Sequence, residues 1–168
     1  MADLHGDEVV LRPLAEGDAE ELRRIHSTAE VSAWWGKPEA EFPHTDDPEA
    51  TRYTILVDGE VGGLVQYLEE PEADYRNAEI DIFLDPRHHG RGLGGDALRT
   101  MVRHMLEDRG HHRVIIVPAA ANHRAIRSYE QAGFSPVGIT RLSARHPLSG
   151  EWHDELLMEL VVEPPAAG

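Results

Sequence analysis

The alternation of apolar and polar positions in the first half of the chain predicts β-strands. Tyr53–Val57 and Val61–Leu68 flank an Asp-Gly turn, which is the pattern of a β-hairpin. Val9–Pro13 and Ala78–Leu84 are shorter apolar runs, and each predicts one strand. Residues 36–50 contain three prolines and many acids, so we expect a loop there.

Helical spacing marks two further segments. In the second half of the chain, apolar residues recur every three to four positions through Arg109, and Gly110 is expected to end this helix. Asp18 predicts the start of an earlier helix, because Glu21 follows it at the spacing of a capping box.

The rest of the chain predicts a strand, a helix and a closing hairpin. Arg113–Val117 is a short β run, and Asn122 is placed to cap the helix that follows. Phe134–Arg145 and Trp152–Val162 predict the hairpin. The order β-α-β-β-β-α-β-α-β-β predicts the α+β class, with helices packed on a mixed, mainly antiparallel central sheet.

The composition narrows the class of protein. The chain has 168 residues and no cysteine, so we expect one domain over residues 1–163, a disordered tail over 164–168, and no disulfide or cysteine-based metal site. The eleven histidines are dispersed, and no metal is expected. No apolar run approaches the ~18–20 residues that span a bilayer, so we expect a cytoplasmic protein with no membrane partner.

The charge of the chain is unevenly distributed. The formal net charge of −15 argues against nucleic acid as a partner. Residues 39–85 carry 14 acids and 2 bases, whereas residues 86–127 carry 8 arginines and 3 acids. This separation is expected of a protein that brings a cationic ligand to an anionic one, and a solubilising surface is the alternative for the acidic excess.

A glycine-rich segment lies between the predicted strand Ala78–Leu84 and the helix after it. Its sequence is His89-Gly-Arg-Gly-Leu-Gly-Gly95, and such spacing lets backbone N–H groups converge on an anion at the start of a helix. A tight turn is the alternative. A dinucleotide fold is disfavoured, because five residues, 85–89, separate the strand from the glycines.

Two segments resemble the GNAT superfamily of N-acetyltransferases. They are Ile82-Phe-Leu-Asp-Pro-Arg-His-His-Gly-Arg-Gly-Leu-Gly94 and Asn122-His-Arg-Ala-Ile-Arg-Ser-Tyr-Glu-Gln-Ala-Gly-Phe134. Together with the Trp34-Trp35 pair, they are most similar to the aminoglycoside 6′-N-acetyltransferases and their relatives. Several of those enzymes carry Asp before the proline that ends the next strand, where this chain has Val117.

The resemblance implies a GNAT fold and acetyl-CoA as cosubstrate. It implies that the pyrophosphate lies on the amides of residues 91–95 and that a backbone N–H near Phe83 holds the thioester carbonyl. Tyr129 would donate a proton to the departing thiolate. The cofactor-binding residues expected on this basis are Phe83, Leu84, His89, Arg91, Gly92, Leu93, Gly94, Gly95, Asn122 and Arg127.

Two acids are candidates for the base that takes the proton of the amine. Glu79 and Asp81 are two positions apart and share one face of a predicted strand. Asp81 is the first choice, because it aligns with an acid of the aminoglycoside-modifying relatives, and Glu79 is the alternative. Solvated acids at the edge of the sheet remain a third interpretation.

Aromatic and acidic residues are candidates for binding the amine acceptor. Aromatic faces beside carboxylates suit a polyamine or an amino sugar, and the candidates are Trp34, Trp35, Glu70, Asp74 and Asp154. We therefore expect an N-acetyltransferase for a cationic amine of aminoglycoside type, acting as a monomer or homodimer. Alternatives are a peptide or other amine as acceptor, and a non-catalytic acyl-CoA sensor.

Overall fold

The computed structural model describes residues 1–44 and 49–166, which form one eight-stranded sheet with helices on both faces. The strands are β1 (Leu4–His5), β2 (Val9–Pro13), β3 (Thr51–Val57), β4 (Glu60–Glu69), β5 (Ala78–Leu84), β6 (Arg113–Ile116), β7 (Ser135–Arg145) and β8 (Trp152–Val161). The helices are α1 (Ala19–His26), α2 (Ala29–Trp35), α3 (Leu93–Arg103) and α4 (His123–Gln131). The spatial order is β1-β2-β3-β4-β5-β6-β8-β7, and all pairs are antiparallel except β5 with β6.

The predicted α+β class and the predicted strands are confirmed, and two helical segments differ from the prediction. The α2 helix was not predicted, because it has seven residues and buries only Val31. The helix predicted through Arg109 is α-helical to Arg103 and continues as a π-turn over His104–Asp108. Of the predicted loop and tail, residues 45–48 and 167–168 lie outside the described residues.

Asp18 precedes α1, but the prediction that its side chain caps this helix is wrong. Its carboxylate instead accepts hydrogen bonds from the Ala15 N–H (2.9 Å) and the Thr54 hydroxyl (2.6 Å). It also pairs with Arg12 at 2.6 Å. A buried carboxylate needs several donors, and strands β2 and β3 provide donors that α1 does not.

The sheet separates two apolar cores. Helices α3 and α4 cover one face, where Ile80, Leu98 and Met101 are fully buried. Helices α1 and α2 cover the other face, where Leu22 and Ile25 pack around Phe83. Because side chains alternate along β5, residues 79, 81 and 83 face the second side.

The centre of the sheet opens where β5 and β6 diverge. These parallel strands pair only at Ala78 with Val114 and Glu79 with Ile115. Strand β6 ends at Ile116 and is soon followed by Pro118, which has no N–H to continue a ladder. The second half of β5 therefore faces an opening on that edge, and this opening locates the candidate site.

Candidate active site

A cavity of about 780 Å³ lies at the carboxyl end of β5. Four segments line it: helix α2, the end of β5, the glycine loop (residues 89–95) and helix α4 with the residues just before it. The predicted site residues in its lining are Trp34, Trp35, Phe83, Leu84, His89, Gly92, Leu93, Gly94, Gly95, Asn122, Arg127 and Tyr129. The fold thus brings twelve separately predicted side chains or backbone positions to one cavity.

The glycine loop has the backbone conformation that only glycine adopts readily. Gly90 and Gly92 have φ of +79° and +75°, and Gly92 is the N-cap of α3. The first free N–H groups of α3 therefore point out of the helix beside the cavity. A Cβ on Gly94 would meet no atom within 4 Å among the described residues beyond its own helix, although its φ is not positive. The space in front of this glycine is open for a ligand.

The base of the loop is anchored by a buried carboxylate. Asp85 is 1% exposed and accepts hydrogen bonds from Arg24 (2.6 Å) and from the side chain (2.9 Å) and backbone (3.0 Å) of Arg87. Burial alone would raise its pKa, but the hydrogen bonds from Arg87 and Arg24 outweigh it and lower the pKa to about 2. Asp85 is therefore ionised at neutral pH and connects α1 to the loop.

His89 connects the loop to α4. Its Nδ1 lies 2.6 Å from Nη1 of Arg124, and its Nε2 lies 3.0 Å from the carbonyl of Leu84. Because an arginine only donates, Nδ1 is the acceptor and the Nε2–H donates to Leu84. Burial and the charge of Arg124 lower the pKa of His89, so the ring is neutral.

Arg124 also lines the cavity, and sequence reasoning did not select it. The only signal in the sequence was its position in the first turn of a helix that follows a capping Asn.

The Oδ1 of Asn122 accepts a hydrogen bond from the Ala125 N–H (3.3 Å), so only its amide NH₂ remains for a ligand. The side chain of Arg91 is exposed, 3.4 Å from Nδ1 of His88, and lies outside the lining that the described residues form.

Tyr129 lines the cavity, and the charge of Asp81 acts on it, although Asp81 and Glu79 themselves lie outside the cavity lining that the described residues form. Burial and the negative charge of Asp81 both raise the pKa of Tyr129, so its phenol stays protonated at neutral pH. The pKa of Asp81 is raised by burial and by Glu155, and a hydrogen bond from Gln66 partly offsets this. A protonated phenol and a carboxylate of raised pKa are a suitable acid and base for acyl transfer.

Gln66 orients Asp81. Arg52, Gln66 and Asp81 lie side by side on strands β3, β4 and β5. The Oε1 of Gln66 accepts a hydrogen bond from Arg52 (3.2 Å), which leaves its amide NH₂ to donate to Asp81.

Glu155 completes a cluster of three acids that sequence reasoning only partly found. The pKa of Glu79 is raised by burial and by the charges of Asp81 and Glu155. Glu155 lies on β8, which reaches this point because β8 pairs with β6 and Glu155 bridges to Ala119. No local pattern indicated it, since its position depends on the order of strands.

Of the five residues predicted to bind the acceptor, two line the cavity and three lie outside it. Trp35 packs edge-on against Phe83 with ring centroids 5.0 Å apart, and Trp34 is 42% exposed in the cavity wall. Glu70 and Asp74 are exposed on the segment that enters β5, about 20 Å along the strand from the glycine loop. Asp154 accepts a hydrogen bond from the Leu142 N–H (2.8 Å) and braces the β7–β8 hairpin. The structure does not bring these three acids into the cavity lining.

Two absences hold for the described ranges 1–44 and 49–166. They contain no group of three or more His, Asp or Glu side chains placed to hold a metal ion. They also contain no helix that is long and apolar enough to cross a membrane.

Comparisons with known proteins agree with this architecture. A spermidine N(1)-acetyltransferase of Escherichia coli K12 is 26% identical over 159 residues, which cover 89% of this chain and 84% of that protein. An aminoglycoside N(6′)-acetyltransferase type 1 of Klebsiella pneumoniae is 30% identical over 153 residues, covering 79% and 76%. The structure of AAC(6′)-Ib in complex with paromomycin and acetyl-CoA matches with a TM-score of 0.78 at 26% identity, covering 92% of this chain and 94% of that one.

The family model for the GNAT acetyltransferase domain matches residues 8–135, which is most of the chain. This match confirms the resemblance carried by the glycine loop and by the Asn122–Phe134 segment. The chain therefore belongs to the GNAT family and is an N-acetyltransferase.

Proposed function

We propose that this protein transfers the acetyl group of acetyl-CoA to a primary amine of a polycationic small molecule, either an amino sugar of the aminoglycoside type or a polyamine. The observation that carries the proposal is the cluster of Glu79, Asp81 and Glu155 beside Tyr129. The charge of Glu155 raises the pKa of Glu79 and Asp81, and the charge of Asp81 also raises that of Glu79. A half-buried face that carries three acids is costly unless a cationic ligand offsets their charge.

The glycine loop supports the proposal that the pyrophosphate of acetyl-CoA binds at the start of α3. The N-terminus of α3 offers free backbone N–H groups, and the open space at Gly94 allows an anion to approach them closely. Arg124 and Arg127 line the same region and provide positive charge. Acetyl-CoA supplies the thioester whose carbonyl carbon the amine attacks.

The residues of the chain account for both proton transfers. An ammonium must lose its proton before it can attack, and Asp81 takes that proton directly or through water, with Glu79 as the alternative base. A C–N bond forms as the C–S bond breaks, and the departing thiolate receives the proton of the Tyr129 hydroxyl. The acylated nitrogen then loses its second proton, which returns to the Tyr129 oxygen directly or through water. The raised pKa of Asp81 suits this role, because a base works best when its pKa approaches the working pH.

The acceptor side favours a substrate with more than one ammonium group. Three carboxylates exceed what one amine needs, and the exposed face of Trp34 offers a cation–π contact. The relatives named above are a spermidine and an aminoglycoside acetyltransferase, so both classes are candidates.

The test is release of the CoA thiol from acetyl-CoA across a panel of aminoglycosides, polyamines, amino acids and basic peptides. We expect turnover with aminoglycosides or polyamines and little with the others. The Tyr129→Phe variant serves as the control for enzyme-dependent release. Turnover with peptides alone, or with no amine in the presence of tight acetyl-CoA binding, contradicts the proposal.

A further inference from the structure

The loop that joins β7 to β8 reaches across the molecule to helix α2. The Nε2 of His146 lies 2.7 Å from the carbonyl oxygen of Ala33, 113 residues away in sequence. This carbonyl lies one residue beyond the last backbone hydrogen bond at the end of α2, from the Gly36 N–H to the Ser32 carbonyl. His146 thus satisfies an acceptor at the C-terminal end of the helix.

The hydrogen bonds of His146 determine which ring nitrogen carries the proton. Its Nδ1 accepts from the backbone N–H groups of Leu148 and Ser149, both at 3.2 Å. A nitrogen that accepts two N–H groups has no proton of its own, so the proton is on Nε2 and is donated to Ala33. The same ring therefore forms hydrogen bonds both within its own turn and to the end of α2.

A second contact joins the same two segments. Gly36 ends α2 with φ of +75°, and a Cβ built on it would lie 2.6 Å from Cβ of Pro147. The ring of Pro147 therefore packs closely on the backbone of Gly36, beside the hydrogen bond. Helix α2 carries Trp34 and Trp35 into the cavity wall, so this junction bears on the acceptor half of the site.

We propose that His146 is a positioning residue that fixes α2, and with it Trp34 and Trp35, against the acceptor half of the cavity. The kinetic part of this inference rests on the proposed function, because it concerns the acceptor's KM. The expected change in the solvent exposure of Trp34 and Trp35 does not depend on the proposed function.

Two substitutions separate the two hydrogen-bonding roles of the ring. His146→Asn keeps an oxygen at the place of Nδ1 for Leu148 and Ser149, but it is too short to reach Ala33. His146→Gln places an N–H at the distance of Nε2 and keeps the bond to Ala33, but it has no acceptor at the place of Nδ1. A role confined to the turn predicts that Asn is tolerated and Gln is not, and the proposal predicts the reverse.

The first readout requires no substrate. Trp152→Phe is introduced throughout, so that Trp34 and Trp35 are the remaining tryptophans of the three in the chain. We expect His146→Asn to increase acrylamide quenching of their fluorescence and His146→Gln to leave it near the parent value. Thermal unfolding of each variant shows that it is folded. If His146→Asn does not fold, the test rests on His146→Gln. Quenching near the parent value in that variant supports the proposal, and increased quenching contradicts it.

The second readout uses spermidine and kanamycin as acceptors. We expect His146→Asn to raise the acceptor's KM about three- to tenfold, the equivalent of one lost hydrogen bond. The KM for acetyl-CoA stays unchanged, and His146→Gln restores the parent values. Equal effects of Asn and Gln, or none with Asn, overturn the inference. If neither amine is acetylated, another acceptor from the panel replaces them. If no amine of the panel is acetylated, the proposed function is wrong, and the quenching experiment still decides the role of His146.

Discussion

The carboxylate of Asp85 and the guanidinium of Arg24 lie 2.6 Å apart, although 61 residues separate them in sequence. Arg24 belongs to α1, on the side of the sheet that carries the acid cluster, and Asp85 begins the turn that leads into the glycine loop. Glu21 binds the same arginine at 2.7 Å. These hydrogen bonds fix the position of the glycine loop relative to α1.

Replacing Asp85 with Asn is expected to lower the free energy of unfolding by about 2 kcal/mol, because a pKa lowered to about 2 corresponds to ionic hydrogen bonds of that size. Denaturant unfolding at neutral pH measures the loss. Asp3→Asn, at an exposed position, is the control and is expected to change little. Equal stability of Asp85→Asn and the parent protein contradicts this role.

The same pair predicts how stability depends on pH. The folded-state pKa of Asp85 is below its unfolded value, so its contribution is complete above the unfolded pKa and is lost as the pH falls toward about 2. We expect the stability difference between the parent protein and Asp85→Asn to shrink as the pH is lowered from neutrality into that range. A difference that does not change with pH indicates packing as its cause.

Gly94→Ala tests whether the open space at the glycine loop holds the cosubstrate. The added methyl meets no neighbour outside its own helix among the described residues, and alanine is favoured over glycine in a helix by up to about 1 kcal/mol. We expect unchanged or slightly higher stability, but an increase of about tenfold or more in the Kd for acetyl-CoA, measured by calorimetry. Gly17→Ala, also unhindered, is the control. Normal binding by Gly94→Ala means that no phosphate lies there.

Tyr129→Phe removes the proposed proton donor and keeps the ring. We expect kcat to fall about 100-fold, with the Kd for acetyl-CoA changed less than twofold, because the phenol acts on the departing thiolate. Tyr75→Phe, at a residue 73% exposed, is the matched control. An unchanged kcat excludes Tyr129 as the donor.

Glu155→Gln tests the acid cluster through the pH dependence of the rate. The charge of Glu155 raises the pKa of both Asp81 and Glu79, so its removal lowers both. A base must be deprotonated to act, and the rising limb of kcat/KM against pH is therefore expected to move to lower pH. Glu159→Gln, on the same strand face but paired with Arg113, is the control. If the rising limb stays in place or moves to higher pH, Glu155 does not raise the pKa of the catalytic base.

Asp81→Asn distinguishes the two candidate bases. If Asp81 is the base, this variant loses the rising limb, whereas Glu79→Gln keeps it. Because burial raises the pKa of Asp81, its ionised form also destabilises the fold, and we expect Asp81→Asn to be more stable than the parent protein at neutral pH. Higher acceptor KM with an unchanged pH profile makes Asp81 a binding residue.

The sequence by itself determined the features that depend on residues close together in the chain, namely the strands, the glycine loop and the side chains that share a strand face. Periodicity predicted seven of the eight strands, and the glycine spacing indicated an anion site at the start of α3. The alternation along β5 placed Glu79 and Asp81 on one face. The strands and the glycine conformation are confirmed, because side-chain direction and glycine conformation are local properties, whereas the anion site stays a prediction.

Only the tertiary structure decided which distant residues meet. Glu155 approaches Asp81 because β8 pairs with β6, Asp85 meets Arg24 across the domain, and His146 reaches Ala33 from a hairpin loop. Asp18 turned from its expected cap toward Thr54 for the same reason. A buried polar group takes the donors that the packed fold brings to it, and strand order and helix packing are not encoded in any local pattern.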